Sequence, residues 1–426
     1  MKPTELATPL KQPAVMLPPQ PAGKHHRFHA MVKPIGSMCN LNCTYCYYLH
    51  KADLLHQPQA PRMSDEILEQ HIRQYIEAQT GDAVVFSWQG GEPTLLGLDF
   101  FRKVIALEEK YCKPDQRIEN DLQTNGTLLD EAWAVFLKKN NFLVGLSVDG
   151  PKRLHDCFRV TKGGEPTHDK VMIAARLLKK HDVLFNALCV VHRENAKFPL
   201  DVYRFLTREL GVWRIQLISC VEPKVFHNVA PLKWDAADLP MIGTPQAKPG
   251  APDSVVTDWS VDPDDWGYFL SKVWDDWFNR DYGKVHVDLF ETAVAQSMGL
   301  PGQRCVTNEF CGKGMVVEHN GDVFACDHYA YPEYRVGNIR ETHWSRMAYS
   351  ERQKTFGFAK RDILPKYCRD CSSLKLCWGE CPKNRLVKTP DGEDGLNYLC
   401  SGMKKFYTHI QRDMPEILKR VQPQRA

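Results

Sequence analysis

Three cysteines near the start of the chain, Cys39, Cys43 and Cys46, constrain the fold most strongly, because they place three potential metal ligands on one short loop. The loop follows an apolar segment at residues 30–35. Thiolates spaced as Cys-x3-Cys-x2-Cys can all turn inward and bind three irons of a [4Fe-4S] cubane, which leaves the fourth iron without a protein ligand. An open iron of this kind is a place for chemistry.

A zinc site is the alternative for these three cysteines, with His50 or His56 as the fourth ligand. Structural zinc sites normally combine one close pair of cysteines with a second pair further along the chain. The triplet matches that arrangement poorly, so its spacing favours an iron–sulfur cluster.

Eight more cysteines cluster in the second half of the chain. They are Cys305, Cys311, Cys326, Cys368, Cys371, Cys377, Cys381 and Cys400. In a reducing compartment, clustered cysteines are more often metal ligands than disulfides. Eight thiolates suffice for two four-cysteine cubanes and equally for two zinc sites, so their number leaves both possibilities open.

Apolar segments alternate with amphipathic segments through the first half of the chain. Strands are expected at residues 30–35, 83–88, 117–123, 144–149, 183–191 and 212–221, and helices at 64–76, 99–111, 129–141, 168–181 and 199–210. This alternation predicts an α/β fold with a parallel sheet and crossover helices. A doubly wound sheet and a partial barrel fit it equally well, and both place an active site at the carboxyl ends of the strands.

Polar or glycine-rich runs follow three of the predicted strands. They are Gln-Gly-Gly-Glu-Pro at residues 89–93, Gln-Thr-Asn-Gly at 123–126 and Ser-Val-Asp-Gly-Pro at 147–151. Glycines at these positions let the backbone approach a ligand closely. The three runs therefore mark the expected rim of a binding site.

The net charge of the chain, +3 from 55 basic and 52 acidic residues, gives no electrostatic reason to expect nucleic acid or a membrane as a partner. No segment approaches the roughly 20 apolar residues that span a bilayer, and residues 1–29 lack the apolar core of a signal peptide. We therefore expect a cytoplasmic protein. The proline-rich residues 1–28 are expected to form a mobile arm.

Residues 223–262 interrupt the alternation with many prolines and glycines. Long irregular connections are usually functional or disordered, so this insertion is expected to be a lid over a substrate channel or a linker. A helix rich in aromatic residues is expected at 263–280, where packing in the core is the simplest role. Residues 416–426 are expected to form a tail.

The cysteine triplet, Tyr45 just before its last cysteine, and the Gly-Gly-Glu-Pro run resemble the signature of the radical S-adenosylmethionine (SAM) superfamily. The resemblance implies a partial (β/α)6 barrel over residues 29–262 and a [4Fe-4S] cluster on the triplet, whose open iron binds SAM. The SAM-binding residues implied are Tyr45, Gly91, Glu92, Ser147, Arg159 and Val221.

The later cysteines resemble the auxiliary-cluster domain called SPASM, over residues 263–415. That resemblance implies two more [4Fe-4S] clusters, making three in all. One is held by Cys305, Cys311, Cys326 and Cys381, and the other by Cys368, Cys371, Cys377 and Cys400. Cys381 thus crosses over to the earlier set.

The pair Cys326-Asp327 and the run Gly-Leu-Asn-Tyr-Leu-Cys at residues 395–400 resemble the anaerobic sulfatase-maturating enzymes. The implied reaction oxidises a cysteine or serine of an unfolded sulfatase polypeptide to Cα-formylglycine. Asp327 would be the base, the auxiliary clusters would accept the electron, and a donor such as flavodoxin or ferredoxin would supply reducing power.

Two other functions are compatible with parts of this pattern. One is another SPASM-type maturase that crosslinks or epimerises a small peptide, against which Asp327 argues. The other is a non-catalytic metal protein that regulates sulfatases, against which the intact triplet argues.

Overall fold

The computed structural model describes residues 28–302 and 304–421. The predicted N-terminal arm therefore lies outside the described residues, except for Phe28. The Phe28 ring is buried and packs against Tyr75 and Trp344, with ring centroids 5.5 and 5.6 Å apart. Residue 28 thus belongs to the folded part of the chain and not to an arm.

Ten strands in the described residues form one sheet. They are β1 (His29–Lys33), β2 (Ala83–Trp88), β3 (Arg117–Thr124), β4 (Leu143–Ser147), β5 (Phe185–Val191), β6 (Arg214–Ser219), β7 (His286–Val287), β8 (Gly314–Glu318), β9 (Asp322–Phe324) and β10 (Arg335–Asn338). Their order across the sheet is β10-β9-β8-β1-β2-β3-β4-β5-β6-β7. The six predicted strands of the first half correspond to β1–β6.

The sheet order decides between the two predicted architectures. Strands β1 to β6 are parallel and follow one another across the sheet in chain order. A doubly wound sheet reverses its order at a switch point and carries helices on both faces. Right-handed crossovers that always add the next strand on the same side place the helices on one face, as in a (β/α) barrel. The partial barrel is therefore the correct prediction.

Fifteen α-helices lie in the described ranges. They are α1 (Lys51–Leu54), α2 (Asp65–Ala78), α3 (Leu98–Tyr111), α4 (Glu131–Lys139), α5 (Lys152–His155), α6 (His168–Lys180), α7 (Pro199–Arg204), α8 (Pro263–Asp276), α9 (Asp288–Ser297), α10 (Trp344–Ala348), α11 (Glu351–Asp362), α12 (Lys366–Arg369), α13 (Leu374–Cys377), α14 (Cys400–Ile410) and α15 (Met414–Val421). Short π-helical segments extend α7 to Glu209 and α8 to Asp281.

Local sequence explains where the crossover helices begin. The Ser64 hydroxyl accepts a hydrogen bond from the Ile67 amide at the start of α2, and the Asp130 carboxylate caps α4 in the same way. Such caps satisfy amides that have no partner within the helix. The apolar face of α2, including Leu68 and Ile72, is fully buried against the sheet.

The second half of the chain continues the barrel sheet. Strand β8 pairs parallel with β1, with Glu318 opposite Lys33, and β9 returns antiparallel beside β8 as a hairpin. At the other edge β7 pairs with β6. The sheet therefore crosses the expected domain boundary at residue 262, and it brings the segment after β9 to the carboxyl end of β1.

The predicted insertion at 223–262 is irregular, with short 3-10 turns at Ala236–Asp238 and Pro245–Ala247. It is packed onto the protein, since the hydroxyls of Tyr331 and Tyr334 each donate a 2.6 Å hydrogen bond to its backbone carbonyls. Together with Leu386 it lines an open cavity of about 500 Å³.

The helix predicted at 263–280 matches α8 and its extension, and Trp266, Trp274 and Trp277 are buried there in the core. The prediction of a tail from residue 416 is wrong as far as residue 421, because α15 crosses that boundary. Ile417 in α15 is fully buried, which explains why the helix docks. No helix in the described part of the chain is long and apolar enough to cross a membrane.

Candidate active site

The cysteine triplet lies on the loop between β1 and α1, at the carboxyl end of the barrel strands. The Leu41 amide points at the Cys39 sulfur at 3.4 Å, and the Asn125 side chain reaches the same sulfur at 3.8 Å. The loop is fastened to the segment after α5 by a hydrogen bond from the Thr44 amide to the Phe158 carbonyl. Amide donors directed at sulfur are typical of iron–sulfur sites.

The electrostatics of the loop suit an anionic group. Burial is the main cause that raises the pKa of the Cys39 and Cys43 thiols to about 12, and neighbouring thiols of the triplet contribute to the shift. Arg159 acts against this shift at Cys43, and Arg159 and Lys33 do so at Cys46. Three thiols close enough to influence one another, flanked by two cations, fit a cluster that binds them as thiolates.

The glycine-rich run at residues 89–93, which follows β2, packs against the cysteine loop and supports it. A Cβ atom on Gly91 would lie 1.9 Å from the Met38 carbonyl oxygen, so only glycine is possible there. The amides of Gly91 and Glu92 donate hydrogen bonds to the carbonyls of Gly36 and Met38. The run therefore holds the loop through its backbone, and a SAM contact by Gly91 stays a prediction.

Glu92 is fully buried, and its carboxylate is occupied by protein donors. It accepts hydrogen bonds from the amide and hydroxyl of Thr94, the hydroxyl of Thr124 and the amide of Asn125. The side chain thus ties this run to the end of β3. Its contact with SAM stays a prediction.

Arg159 is bound to a carboxylate that the sequence analysis did not assign. Its guanidinium forms two hydrogen bonds to Asp149, at 2.8 and 3.3 Å. The Tyr45 hydroxyl also donates to Asp149, and the Val190 amide donates to it at 2.9 Å. Burial would raise the pKa of Asp149, but Arg159 holds it below its usual range. Tyr45 and Arg159 are therefore fixed by one buried carboxylate beside Cys43.

The other two predicted SAM contacts lie where expected. Ser147 is the last residue of β4, opposite Leu188 of β5. Val221 is buried just beyond β6, and its carbonyl accepts a 2.7 Å hydrogen bond from the Lys383 ammonium. Both stand at the carboxyl end of the sheet, and their roles toward SAM stay predictions.

The later cysteines separate into two sets. Burial raises the pKa of the Cys326 thiol far above its ordinary value, and the thiols of Cys305, Cys381 and Cys311 raise it further. The three cysteines predicted to share a cluster with Cys326 therefore lie close to it. They include Cys381, which comes after Cys368, Cys371 and Cys377 of the other set in the sequence.

Cys400 has a different set of neighbours. Burial, followed by the thiols of Cys368 and Cys371, raises the pKa of its thiol to about 12. Burial and Glu380 raise the pKa of the Cys377 thiol well above its ordinary value, and the thiols of Cys400 and Cys368 contribute in the same direction. The structure thus brings together the two groups of four that the resemblance to the SPASM domain implies.

A left-handed turn of the backbone connects Cys377, in the same set as Cys400, to Cys381, in the same set as Cys326. Trp378, Gly379 and Glu380 have φ angles of 47°, 65° and 50°. Left-handed backbone is costly for residues other than glycine and is found where function requires it. Here it lets Cys377 and Cys381, four positions apart, face different groups.

A buried guanidinium lies between the two sets. Arg385 is 1% exposed, and its Nε and Nη1 atoms have no hydrogen-bond partner in the described part of the chain. Burial lowers its pKa, whereas the thiols of Cys368, Cys311 and Cys381 act in the opposite direction. Its Nη2 atom donates a hydrogen bond to the Lys360 carbonyl, 2.5 Å away. A buried cation that keeps two free nitrogen donors and interacts electrostatically with both sets fits two anionic clusters.

Zinc fits these cysteines less well. Across residues 28–302 and 304–421, no three His, Cys, Asp or Glu side chains are arranged to hold a single metal ion. A cubane is larger than one ion and receives each thiolate at a separate iron. The donor sets are therefore better suited to clusters.

Asp327, the predicted base, lies between the loop of the cysteine triplet and the auxiliary set to which Cys326 belongs. Its carboxylate forms a 2.8 Å ion pair with the Lys33 ammonium at the end of β1 and accepts a hydrogen bond from the Tyr47 hydroxyl. Burial would raise the pKa of Asp327, but Lys33, His328 and Tyr47 hold it below its usual range. The carboxylate is therefore ionised and fixed in orientation.

Sequence reasoning missed several residues of this site. Lys33 and Tyr47 hold Asp327, and a buried ion pair joins Glu222 to Lys383 nearby. Tyr47 had one signal, its position beside Cys46. Lys33 had none, because its partner is far away in the sequence.

Comparisons with known proteins agree with this geometry. The Radical SAM superfamily model matches residues 34–206, and a model described as an iron-sulfur cluster-binding domain, SPASM, matches residues 305–372. A serine-type anaerobic sulfatase-maturating enzyme of Bacteroides thetaiotaomicron is 43% identical over 398 residues, which cover 93% of each chain.

The chain belongs to the family of anaerobic sulfatase-maturating enzymes. A cysteine-type member of this family from Clostridium perfringens is 34% identical over 383 residues, covering 89% of this chain and 95% of that one. The solved structure of anSMEcpe with bound AdoMet and Cp18Cys peptide superposes with a TM-score of 0.78 at 31% identity, covering 92% of this chain and 99% of that chain.

Family membership confirms several predictions. The partial barrel followed by an auxiliary-cluster domain, the assignment as a radical SAM enzyme, and SAM with three [4Fe-4S] clusters as cofactors all agree with the family models and relatives. The assignments of individual cluster ligands and SAM contacts stay predictions.

Proposed function

We propose that this family member oxidises a serine or cysteine side chain of an unfolded sulfatase polypeptide to Cα-formylglycine, with Asp327 as the base. The single observation that carries the proposal is the placement of Asp327. It is fixed by Lys33 and Tyr47 directly beside the triplet loop, and it follows Cys326 of the first auxiliary set. A proton acceptor thus stands next to the place where the radical chemistry begins.

The triplet and the two later sets of cysteines identify the residues that would hold the iron–sulfur clusters. Cys39, Cys43 and Cys46 would bind the SAM cluster, and the two later sets would each complete one auxiliary cluster. SAM and its cluster, when bound, supply the radical that removes a hydrogen atom from the target Cβ. Tyr45, Arg159 and Asp149 would form one wall of the SAM site.

The proposed role of Asp327 is to accept a proton from the target side chain. Loss of a hydrogen atom from the target carbon and of an electron, which the auxiliary clusters would accept, leaves the proton of the target hydroxyl or thiol to be removed as the C=O or C=S bond forms. A serine gives the aldehyde directly, whereas the thioaldehyde formed from a cysteine must then be hydrolysed by water, with release of hydrogen sulfide. A carboxylate that is ionised and held by two donors can take this proton without first reorienting. Glu222 is another buried carboxylate of this region, but it is paired with Lys383.

We also propose an electron donor and a cellular location. An electron donor such as flavodoxin or ferredoxin would supply reducing power, and the cytoplasm would be the location. The near balance of charge supports the expectation that nucleic acid and membranes are not partners.

The test uses anaerobically reconstituted protein with SAM, a reductant and two sulfatase-motif peptides that differ only in carrying serine or cysteine. Formylglycine is identified by mass spectrometry and by reaction of the aldehyde with a hydrazide. We expect an aldehyde from at least one peptide. SAM cleavage with both peptides unmodified would instead point to a different peptide substrate.

A further inference from the structure

Lys51, the first residue of α1, carries a buried ammonium without a hydrogen-bonding partner. The residue is 1% exposed, and its Nζ atom makes no hydrogen bond or ion pair within the described residues. Nζ lies 3.1 Å from the centroid of the Tyr331 ring. An aromatic face offsets only part of the cost of removing an ammonium from water.

Two other buried lysines near Asp327 differ from Lys51. Lys33 is paired with Asp327, and Lys383 is paired with Glu222. Both carboxylates also act on Lys51 electrostatically, but neither forms an ion pair with it. Burial lowers the pKa of Lys51 to about 7. Of these three buried lysines, Lys51 is therefore the one whose amine has no carboxylate partner among the described residues.

His50, the residue before it, is also unsatisfied. Both of its ring nitrogens are buried and have no hydrogen-bond partner among the described residues. The ring is held by aromatic contacts with Phe226, His227 and Tyr331, at centroid distances of 4.9, 4.9 and 6.2 Å. Burial lowers the pKa of His50 to about 3, so the imidazole is neutral and offers both a donor and an acceptor.

We infer that Lys51 and His50 together bind one peptide unit of the substrate beside the residue that reacts at Asp327. A peptide unit carries one carbonyl acceptor and one amide donor, and both must be satisfied when it is buried. The Lys51 ammonium supplies a donor for the carbonyl, and the free His50 nitrogen accepts from the amide. This inference rests on the proposed function, because it requires a polypeptide at Asp327.

The location favours the peptide over SAM as the ligand. The charges that act most strongly on Lys51 are Glu222, Asp327, Lys383 and Glu318. Arg159 and Asp149, which would line the SAM site, are not among them. Lys51 therefore lies on the Asp327 side of the site, where the proposed target side chain would react.

The first test measures the Kd of a fluorescent serine-bearing peptide for the reconstituted, SAM-loaded protein by anisotropy. Lys51→Met keeps the length of the side chain and removes the ammonium, and we expect about ten- to a hundredfold weaker binding. His50→Phe keeps the aromatic packing, and a smaller loss of about threefold to tenfold is expected. Asp53→Asn, on the exposed side of the same helix, is the matched control and should bind like wild type.

A second measurement locates the peptide unit. Peptides carrying a single thioamide, a weaker acceptor than an amide, are compared at successive positions near the target residue. One thioamide should weaken binding to wild type and have no further effect on Lys51→Met, because the two changes remove the same interaction. Losses that add independently in the two proteins at all positions would overturn the inference.

Thermal stability separates a binding role from a structural one. Since the Lys51 ammonium has no partner, Lys51→Met should melt at or above the temperature of wild type. Lys383→Met leaves Glu222 buried and unpaired and should melt lower. A clearly lowered melting temperature for Lys51→Met would overturn the inference.

The results also separate this inference from the proposed function. Equal peptide affinity in wild type and Lys51→Met would overturn the inference alone. Wild type that binds neither the serine nor the cysteine peptide would overturn both.

Discussion

The Lys33 ammonium lies 2.8 Å from the Asp327 carboxylate, and both side chains are buried. Lys33 ends the first barrel strand, whereas Asp327 follows Cys326 in the second half of the chain. Pairing of β8 with β1 brings the two segments together. The ion pair therefore joins the SAM-binding half of the site to the auxiliary-cluster half at the residue proposed to take the proton.

Tyr47→Phe tests how Asp327 is positioned. The change removes only the hydroxyl that donates to Asp327, so the carboxylate would be held by Lys33 alone and would lose its fixed orientation. We expect peptide oxidation to slow by about tenfold or more, with peptide affinity and peptide-independent SAM cleavage unchanged. Tyr111→Phe, which removes a hydroxyl bonded to Glu69 away from the site, is the control and should leave the rate unchanged. Oxidation by Tyr47→Phe at the wild-type rate would show that the hydroxyl does not position the base.

Replacement of Cys381 tests the crossing of the two auxiliary sets. If Cys381 belongs with Cys326, then Cys381→Ala and Cys326→Ala should perturb the same cluster, identified by electron paramagnetic resonance of the reduced protein. Cys400→Ala should perturb the other. Iron analysis should fall from about twelve irons per chain toward about eight in each variant. If the Cys381→Ala spectrum instead matches that of Cys400→Ala, the assignment of the sets is wrong.

Arg385→Met tests the cation between the sets. Removing a buried positive charge disfavours the reduced, more negative state of a cluster, so the auxiliary reduction potentials should become more negative by up to about 100 mV. Iron content should be retained, because Arg385 is not a ligand. The exposed Arg102→Gln variant is the control, and unchanged potentials in Arg385→Met would show that the guanidinium does not act on the clusters.

Glu108 predicts a pH dependence of stability that is independent of the active site. Burial raises the pKa of this carboxyl from an ordinary 4.5 to about 8, opposed by a hydrogen bond from Asn120. The folded protein keeps the proton where the unfolded chain has lost it, so this contribution is full below pH 4.5 and is lost as the pH rises through 8. The loss is at most about 5 kcal/mol.

Glu108→Gln should remove this loss. We expect thermal melting of the variant to vary less between pH 6 and pH 9 than that of wild type. At the alkaline end the variant should be the more stable protein. An identical dependence in both proteins would mean that Glu108 does not titrate in this range.

Much of the fold was predictable, because its signals are local. The alternation of strands and helices and the loop of Cys39, Cys43 and Cys46 are patterns within short segments. The choice of a barrel depended on the sheet order, which the periodicity of single elements does not encode.

The parts that could not be predicted depend on contacts between distant segments. The pairing of Lys33 with Asp327 requires β8 to lie beside β1. The carboxylate of Glu92 is occupied by Thr124 and Asn125 of another strand end, which the Gly-Gly-Glu-Pro run does not reveal. Burial of Ile417 extends the folded chain beyond the expected start of the tail.

The most direct measurement compares wild type with Asp327→Asn, using the serine and cysteine peptides, SAM and a reductant, and quantifies both 5'-deoxyadenosine and formylglycine. The account predicts that wild type produces both, and that Asp327→Asn still cleaves SAM and binds peptide but forms formylglycine at least about a hundredfold more slowly. Formylglycine produced by Asp327→Asn at the wild-type rate would contradict the assignment of Asp327 as the base.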